Sequence, residues 1–184
     1  MPLPQGKYYT VEDYFNMPDD IRAELINGQL FHMATPSTLH QRISNELCFA
    51  ITSYIKSKGG ECEVFPAPFA VQLSAKDDTV VEPDITVICD TDKLTDRGCV
   101  GAPDWVIEIV SPSSVKHDYI TKLNLYNNAG VCEYWIVDAM QERIYVYDMH
   151  SSNFILIPYT FKDKIKVNIY EDLYIDFSSL NLNI

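Results

Sequence analysis

The sequence predicts a mixed α/β fold, with a partly parallel central sheet that continues into an antiparallel C-terminal extension. Two apolar runs rich in β-branched and aromatic residues, 105–110 and 131–137, flank one helical segment over 114–129. Strand, helix and strand in this order favour a right-handed parallel crossover. A long amphipathic helix precedes this unit and a series of short strands follows it, which completes the mixed architecture.

Length and composition indicate one domain over residues 1–184, because 47% hydrophobic content is enough for a sizeable core. The formal net charge of -12 argues against an extended basic surface for nucleic acid. A nucleic-acid function would therefore need a local basic patch or a metal ion. No stretch resembles a signal peptide or a membrane span, so we expect a soluble cytoplasmic protein with no membrane partner.

The N-terminal third predicts a short helix followed by a hairpin. A capping-box pattern opens the helix, over residues 11–17. Asn27-Gly28 lies between two apolar runs and predicts a two-residue hairpin turn. Glu24 lies on the first strand of that hairpin, where it could equally be an exposed carboxylate at a sheet edge.

A stripe of apolar residues at helical spacing predicts a long amphipathic helix over about 38–56. His40 lies in its first turn, where a hydrogen-bonded structural histidine is the alternative to a site role. Further strands are predicted over 61–65, 69–74, 85–89, 143–148, 154–161, 165–170 and 173–177, with a polar loop over 90–102.

The five cysteines are odd in number and include no CxxC pair. Most of them stand in apolar runs, as buried thiols of reducing compartments do. We therefore expect free, buried thiols at the positions Cys48, Cys62, Cys89, Cys99 and Cys132.

Glu108 interrupts the apolar strand 105–110. A carboxylate on a buried strand costs several kcal/mol unless it is paired, protonated or bound to a cation. Asp84 follows Pro83 at the start of another predicted strand, although an acid after proline is also a common turn former. Two carboxylates at neighbouring strand ends form the oxygen-rich set that a hard divalent cation prefers, so Asp84 and Glu108 are candidate metal ligands.

The order of elements and motifs resembles the Uma-type putative restriction endonuclease family, a branch of the PD-(D/E)XK nuclease superfamily. The resemblance extends over nearly the whole chain. It rests on the motifs YYTVEDYF, AELINGQL, PD at 83–84, ExV at 108–110, SPS, D-x-x-x-K, GVCEYWIVD and LYIDFSSL.

The resemblance implies a restriction-endonuclease-like core in which Asp84 and Glu108 hold Mg²⁺ or Mn²⁺. The lysine expected two residues after Glu108 is Val110 here, and Lys122 on the following helix is the matching substitute. The alternative for Lys122 is a surface i,i+4 pair with Asp118, which contributes only a few tenths of a kcal/mol.

Glu24 and His40 match the N-terminal pattern of the family, which implies that they are further contributors to the catalytic pocket. The implied activity is metal-assisted hydrolysis of phosphodiester bonds, with DNA as the expected substrate and a homodimer as the expected assembly. Apolar and aromatic surface for that dimer is expected at Tyr145, Tyr147 and Phe154. Two alternatives stay open: a non-catalytic nucleic-acid-binding or protein-interaction module, and a nucleotide phosphodiesterase.

Overall fold

The computed structural model describes residues 6–18, 20–76, 78–111, 117–150 and 155–182. The α-helices in these ranges are α1 (Val11–Phe15), α2 (Thr38–Ser57) and α3 (Leu123–Ala129). A π-helical segment, His117–Lys122, leads directly into α3. The predicted start of this helix, near residue 114, lies outside the described residues.

The strands are two to six residues long. In chain order they are β1 (Ala23–Ile26), β2 (Gln29–His32), β3 (Glu63–Pro66), β4 (Val71–Gln72), β5 (Val80–Val81), β6 (Ile85–Ile88), β7 (Leu94–Thr95), β8 (Gly98–Val100), β9 (Trp105–Val110), β10 (Glu133–Asp138), β11 (Arg143–Asp148), β12 (Ile155–Thr160), β13 (Lys164–Lys166) and β14 (Tyr174–Asp176).

The central sheet has the order β12-β11-β10-β9-β6-β3. β9 and β10 are parallel neighbours, with Glu108 opposite Ile136, which confirms the predicted parallel pairing of these two strands. β11 and β12 continue the sheet in antiparallel order and confirm the predicted C-terminal extension. A second sheet has the order β2-β1-β5-β4-β8-β7, and β13 pairs with β14.

Two hydrophobic clusters cover the two faces of the central sheet. On one face, the buried stripe of α2 packs in a cluster with Trp105 and Trp135, whose rings lie 4.9 Å apart at their centroids. On the other face, Val106 and Tyr134 pack with Tyr126 of α3 and with residues of the second sheet. Strand alternation places the Glu108 side chain on this second face, between the two sheets.

The N-terminal predictions are confirmed, except that α1 ends at Phe15 rather than at residue 17. The capping box of α1 forms, and Asn27 and Gly28 have φ angles of 49° and 75°, as the tight turn between β1 and β2 requires. Glu24 is not at a sheet edge, because β1 lies between β2 and β5. The exposed-edge alternative for Glu24 is therefore wrong.

The prediction of a loop over 90–102 is wrong in part. This stretch contains a 3₁₀ turn, Thr91–Lys93, and the strands β7 and β8. β8 pairs in parallel with β4, more than twenty residues earlier in the chain. Strands of two or three residues carry too little periodicity to be recognised, and only their pairing with other strands defines them.

The prediction of five free thiols is wrong for Cys62 and Cys89, which form a disulfide. They stand just beyond the ladder of β3 and β6, where Glu63 pairs with Ile88. Continuing this antiparallel register by one residue places the two cysteines opposite each other, which explains the bond. Cys48, Cys99 and Cys132 are free.

One of the three residues predicted to form the dimer surface is buried. Tyr147 is only 6% exposed and belongs to the cluster between the two sheets. Phe154 lies outside the described residues.

Among the helices that the structure describes, none is both long enough and apolar enough to cross a bilayer.

Candidate active site

The predicted site residues meet at one cavity of about 520 Å³. The cavity lies where β1, the first turn of α2, the start of β6, the middle of β9 and the π-helical segment come together. The structure thus brings together all five residues predicted from the sequence. They are Glu24, His40, Asp84, Glu108 and Lys122.

Glu108 is 3% exposed and stands in the middle of β9. Its Oε1 atom accepts hydrogen bonds from Lys122 Nζ at 2.9 Å and from the Tyr126 hydroxyl at 2.6 Å. Burial raises the pKa of Glu108 well above its ordinary value; the Lys122 charge opposes this shift, and nearby carboxylates, including Asp84, reinforce it. A second positive charge in the cavity would stabilise the ionised form of Glu108.

Lys122 reaches from the end of the π-helical segment to the strand acids. Its Nζ lies 2.9 Å from Glu24 Oε1, 2.9 Å from Glu108 Oε1 and 3.7 Å from Asp118 Oδ1. The Lys122 side chain is 4% exposed, so the alternative of a surface pair with Asp118 is wrong even though the two charges are close. Burial alone would lower the pKa of Lys122, but the surrounding carboxylates outweigh it and raise the pKa well above its usual value.

Asp84 faces Glu108 across two adjacent strands. β6 and β9 are antiparallel with Ile85 opposite Ile107, and continuing this register places Asp84 opposite Glu108. Side chains directly opposite in an antiparallel pair share a face, with Cβ atoms about 5 Å apart. Asp84 Oδ2 accepts a hydrogen bond from the Ile109 amide at 2.7 Å, so its carboxylate binds the neighbouring strand rather than its own turn.

His40 and Glu24 support the two central groups. His40 Nε2 lies 3.1 Å from Asp84 Oδ2. Burial lowers the pKa of His40, but the hydrogen bond to Asp84 and the charge of Asp84 outweigh burial, so the pKa is raised. Glu24 Oε1 accepts the Glu82 amide hydrogen at 2.9 Å in addition to the Lys122 contact. His40 therefore orients Asp84, and Glu24 orients Lys122.

Three further residues belong to the site and were not predicted as site residues. Asp118 and Tyr126 lie four residues before and after Lys122 at helical spacing, and the sequence offered Asp118 only as a surface partner of Lys122. Arg22 lines the same cavity two residues before Glu24. Arg22 could have been found from its spacing of two residues from Glu24, because side chains two residues apart lie on the same side of an extended chain.

The donor set fits a hard divalent cation. The hydrogen bonds that described residues donate to Asp84 all end on Oδ2, and those to Glu108 all end on Oε1. Asp84 Oδ1 and Glu108 Oε2 are therefore available as ligands. In the described part of the chain, no three His, Cys, Asp or Glu side chains are arranged to hold a metal. Mg²⁺ does not require this, because it commonly uses one or two carboxylates together with water and substrate phosphate.

Comparison with known proteins gives the family. Residues 11–178 match the family described as Uma2, putative restriction endonuclease. The chain belongs to the Uma2 family. The uncharacterized protein slr1290 of Synechocystis is 25% identical over 146 residues, which cover 78% of this chain and 75% of that relative.

A solved structure shows that this Uma2 chain has the expected fold. The crystal structure of a putative nuclease belonging to DUF820 from Anabaena variabilis matches with a TM-score of 0.75 at 20% sequence identity. The match covers 93% of this chain and 96% of that one. At this identity the likeness concerns the fold alone, and it confirms the predicted restriction-endonuclease-like core.

Proposed function

We propose that this Uma2 chain is a metal-dependent nuclease that hydrolyses phosphodiester bonds, with DNA as its substrate. The observation that carries the proposal is the convergence of Asp84, Glu108 and Lys122 on one cavity, from three different elements. Asp84 and Glu108 each offer a carboxylate oxygen as a ligand for a cation. Lys122 is buried beside them and adds a fixed positive charge. Membership of a family described as putative restriction endonucleases, and a fold shared with a putative nuclease, support the same activity.

In this proposal Asp84 and Glu108 would hold Mg²⁺ or Mn²⁺ with carboxylate oxygens that accept no hydrogen bond from a described residue. A bound cation would supply a more acidic water molecule and stabilise the negative charge that develops on the phosphate. Tyr126 and Lys122 fix the orientation of Glu108 by occupying its other oxygen. His40 and the Ile109 amide do the same for Asp84.

The overall charge of -12 is compatible with a nuclease when the positive charge is local. A cation at the site is the largest local charge and reverses the potential over a short range. The remaining acidic surface would then disfavour extended non-specific binding, since that binding depends on neutralising many phosphates.

A non-catalytic nucleic-acid-binding or protein-interaction module is the second candidate, and one observation favours it. Lys122 is 4% exposed and is surrounded by three carboxylates, so its ammonium is fully engaged without substrate. With Val110 in the position of the usual lysine, such a site could retain the fold and lack turnover. Cleavage assays separate the two candidates.

The decisive experiment compares Asp84→Asn with Asp104→Asn. Both aspartates follow a proline and accept a main-chain hydrogen bond, Asp104 Oδ2 from the Cys89 amide at 2.8 Å, but only Asp84 lines the cavity. We expect Asp84→Asn to abolish Mn²⁺ binding in calorimetry and Mg²⁺-dependent cleavage of plasmid or single-stranded DNA. Asp104→Asn should retain both. Mn²⁺ binding without cleavage of DNA, RNA or dinucleotides would favour the non-catalytic module, and unchanged Mn²⁺ binding by Asp84→Asn would remove the proposed site.

We also propose that the nuclease acts as a two-fold dimer, because two active sites related by a two-fold axis can cut the two antiparallel strands of a duplex together. Light scattering across a wide concentration range tests this assembly. A monomer at every concentration would contradict it.

A further inference from the structure

We propose that Arg22 is the residue that binds the substrate phosphate at this site. The inference rests on the proposed nuclease function, which requires a phosphate group next to Asp84 and Glu108. It concerns a residue that no sequence motif of the site includes.

Lys122 cannot easily provide this contact. Its ammonium has three donors, and the structure surrounds it with Glu24, Glu108 and Asp118 at distances of 2.9, 2.9 and 3.7 Å. A phosphate bound by Lys122 would have to displace a carboxylate that is itself buried. Among the described residues that line the cavity, the other lysine or arginine is Arg22.

The guanidinium of Arg22 is held at one edge and available at the other. Its NH2 group donates to Glu82 Oε2 at 2.8 Å and lies 3.8 Å from the sulfur of Met33. No described residue accepts a hydrogen bond from the other two guanidinium nitrogens. The Arg22 side chain is 41% exposed, so these donors can reach a ligand that enters the cavity.

The position of Arg22 is coupled to the acidic site through Glu82. The Glu82 carboxylate binds Arg22 and accepts a 2.8 Å hydrogen bond from the buried Tyr14 hydroxyl. The Glu82 amide donates to Glu24, which in turn contacts Lys122. One residue thus fixes both Arg22 and a carboxylate that contacts the site lysine, which is more order than an isolated surface ion pair has.

Arginine suits this role chemically. A planar guanidinium presents parallel N–H donors that match two oxygens of a phosphate, and it remains charged at every physiological pH. Since Arg22 is one cation, it should neutralise one phosphate. Binding of a single strand should then depend on salt through Arg22 with a slope of about 0.7 in log K against log salt concentration.

The test uses a fluorescein-labelled 12-nucleotide single-stranded DNA, measured by anisotropy in Ca²⁺ at several salt concentrations. The variants are Arg22→Ala, Arg22→Lys and, as a matched control, Arg97→Ala. Arg97 is an exposed arginine outside this cavity that also pairs with a glutamate, Glu12, at 3.3 Å. Circular dichroism and urea unfolding confirm that each variant is folded.

We expect Arg22→Ala to weaken binding on the order of 10- to 100-fold, the range for a lost hydrogen bond to a charged group. Its salt slope should fall by about 0.7. Arg22→Lys should keep the wild-type salt slope, because the positive charge remains. It should lose part of the affinity, because lysine lacks the paired N–H donors of the guanidinium. Arg97→Ala should match the wild type in both measurements.

Wild-type affinity and slope in Arg22→Ala, or a wild type that does not bind the probe, would overturn the inference. Failure of the proposed function gives a different pattern. If the wild type binds the probe through Arg22 but neither binds Mn²⁺ nor cleaves nucleic acid, the nuclease proposal fails and the phosphate contact stands. If the wild type cleaves DNA and Arg22→Ala binds and cleaves equally well, only the Arg22 inference fails.

Discussion

Removing the positive charge of Lys122 should destabilise the metal-free protein strongly. Lys122→Met keeps most of the side-chain volume but leaves Glu24, Glu108 and Asp118 without their shared cation, at 4%, 4% and 3% side-chain exposure. Breaking a buried ion pair by removing one partner costs about 3–5 kcal/mol, because the remaining charge is desolvated and uncompensated. This is a large part of the roughly 5–15 kcal/mol that stabilises a typical domain.

Urea unfolding followed by circular dichroism in EDTA measures this loss. At an m-value of about 2 kcal/mol per molar urea, the midpoint should fall by roughly 2 M. The control is Lys58→Met, which removes an exposed lysine that pairs with Asp172 at the surface. Its midpoint should change little, because solvent screens exposed ion pairs.

Metal should reverse part of the loss if the acids form the proposed site. A ligand that binds only the folded state at 100 times its Kd adds about 2.7 kcal/mol of stability. Mn²⁺ should therefore raise the urea midpoint of Lys122→Met above its value in EDTA. The difference in midpoint between Lys58→Met and the wild type should be the same with and without Mn²⁺. A Lys122→Met protein as stable in EDTA as the Lys58→Met control would refute the buried, charge-paired position of Lys122.

Three further predictions concern turnover, pH and the disulfide. If the chain is a nuclease, Lys122→Ala should lower turnover by roughly 100-fold or more, because Glu108 loses a contact that orients it, with Mn²⁺ affinity retained; wild-type turnover would exclude a role of Lys122 in the reaction. Burial outweighs the hydrogen bonds from Trp135, Ile169 and Asn168 and raises the pKa of Glu133 to about 7. The folded protein then retains a proton that the unfolded chain releases above about pH 4.5, so stability should fall by up to about 3 kcal/mol as pH rises from about 4.5 to 7. Urea midpoints of Glu133→Gln should show a flatter profile over this range, and equal slopes would contradict the shift. Reduction of the disulfide between Cys62 and Cys89, which are 27 residues apart, should lower stability by about 3 kcal/mol by releasing the unfolded chain. Denaturation with and without dithiothreitol checks this; intact mass after alkylation that shows five free thiols would contradict the bond.

Part of the site could be predicted because local rules place its members. Glu108 conflicts with the apolar pattern of its strand, and such a conflict in a buried element requires a compensating charge. Helical spacing relates Lys122 to Asp118 and Tyr126. The tight turn at Asn27 and the capping box of α1 are equally local, and the structure confirms both.

Other parts depend on neighbours that are distant in the sequence. β4 finds its parallel partner β8 only when the second sheet assembles, and the pairing of Cys62 with Cys89 requires β3 and β6 to be adjacent. Whether Glu24 is an edge residue or a buried one was undecided by its own strand. β5 decided it by pairing with β1 on the side opposite β2.

The sequence by itself singled out Glu108 and Asp84, because a charge in an apolar strand and an acid at a strand start are visible in one dimension, whereas Lys122, Glu24 and His40 were implied by the family resemblance. Only the tertiary structure decided which of these charged groups contact one another. Packing the second sheet and the π-helical segment against β9 encloses Lys122 with three carboxylates and leaves Arg22 at the cavity with donors to spare. That division of roles follows from burial and from distances between elements far apart in the chain, which no local pattern encodes.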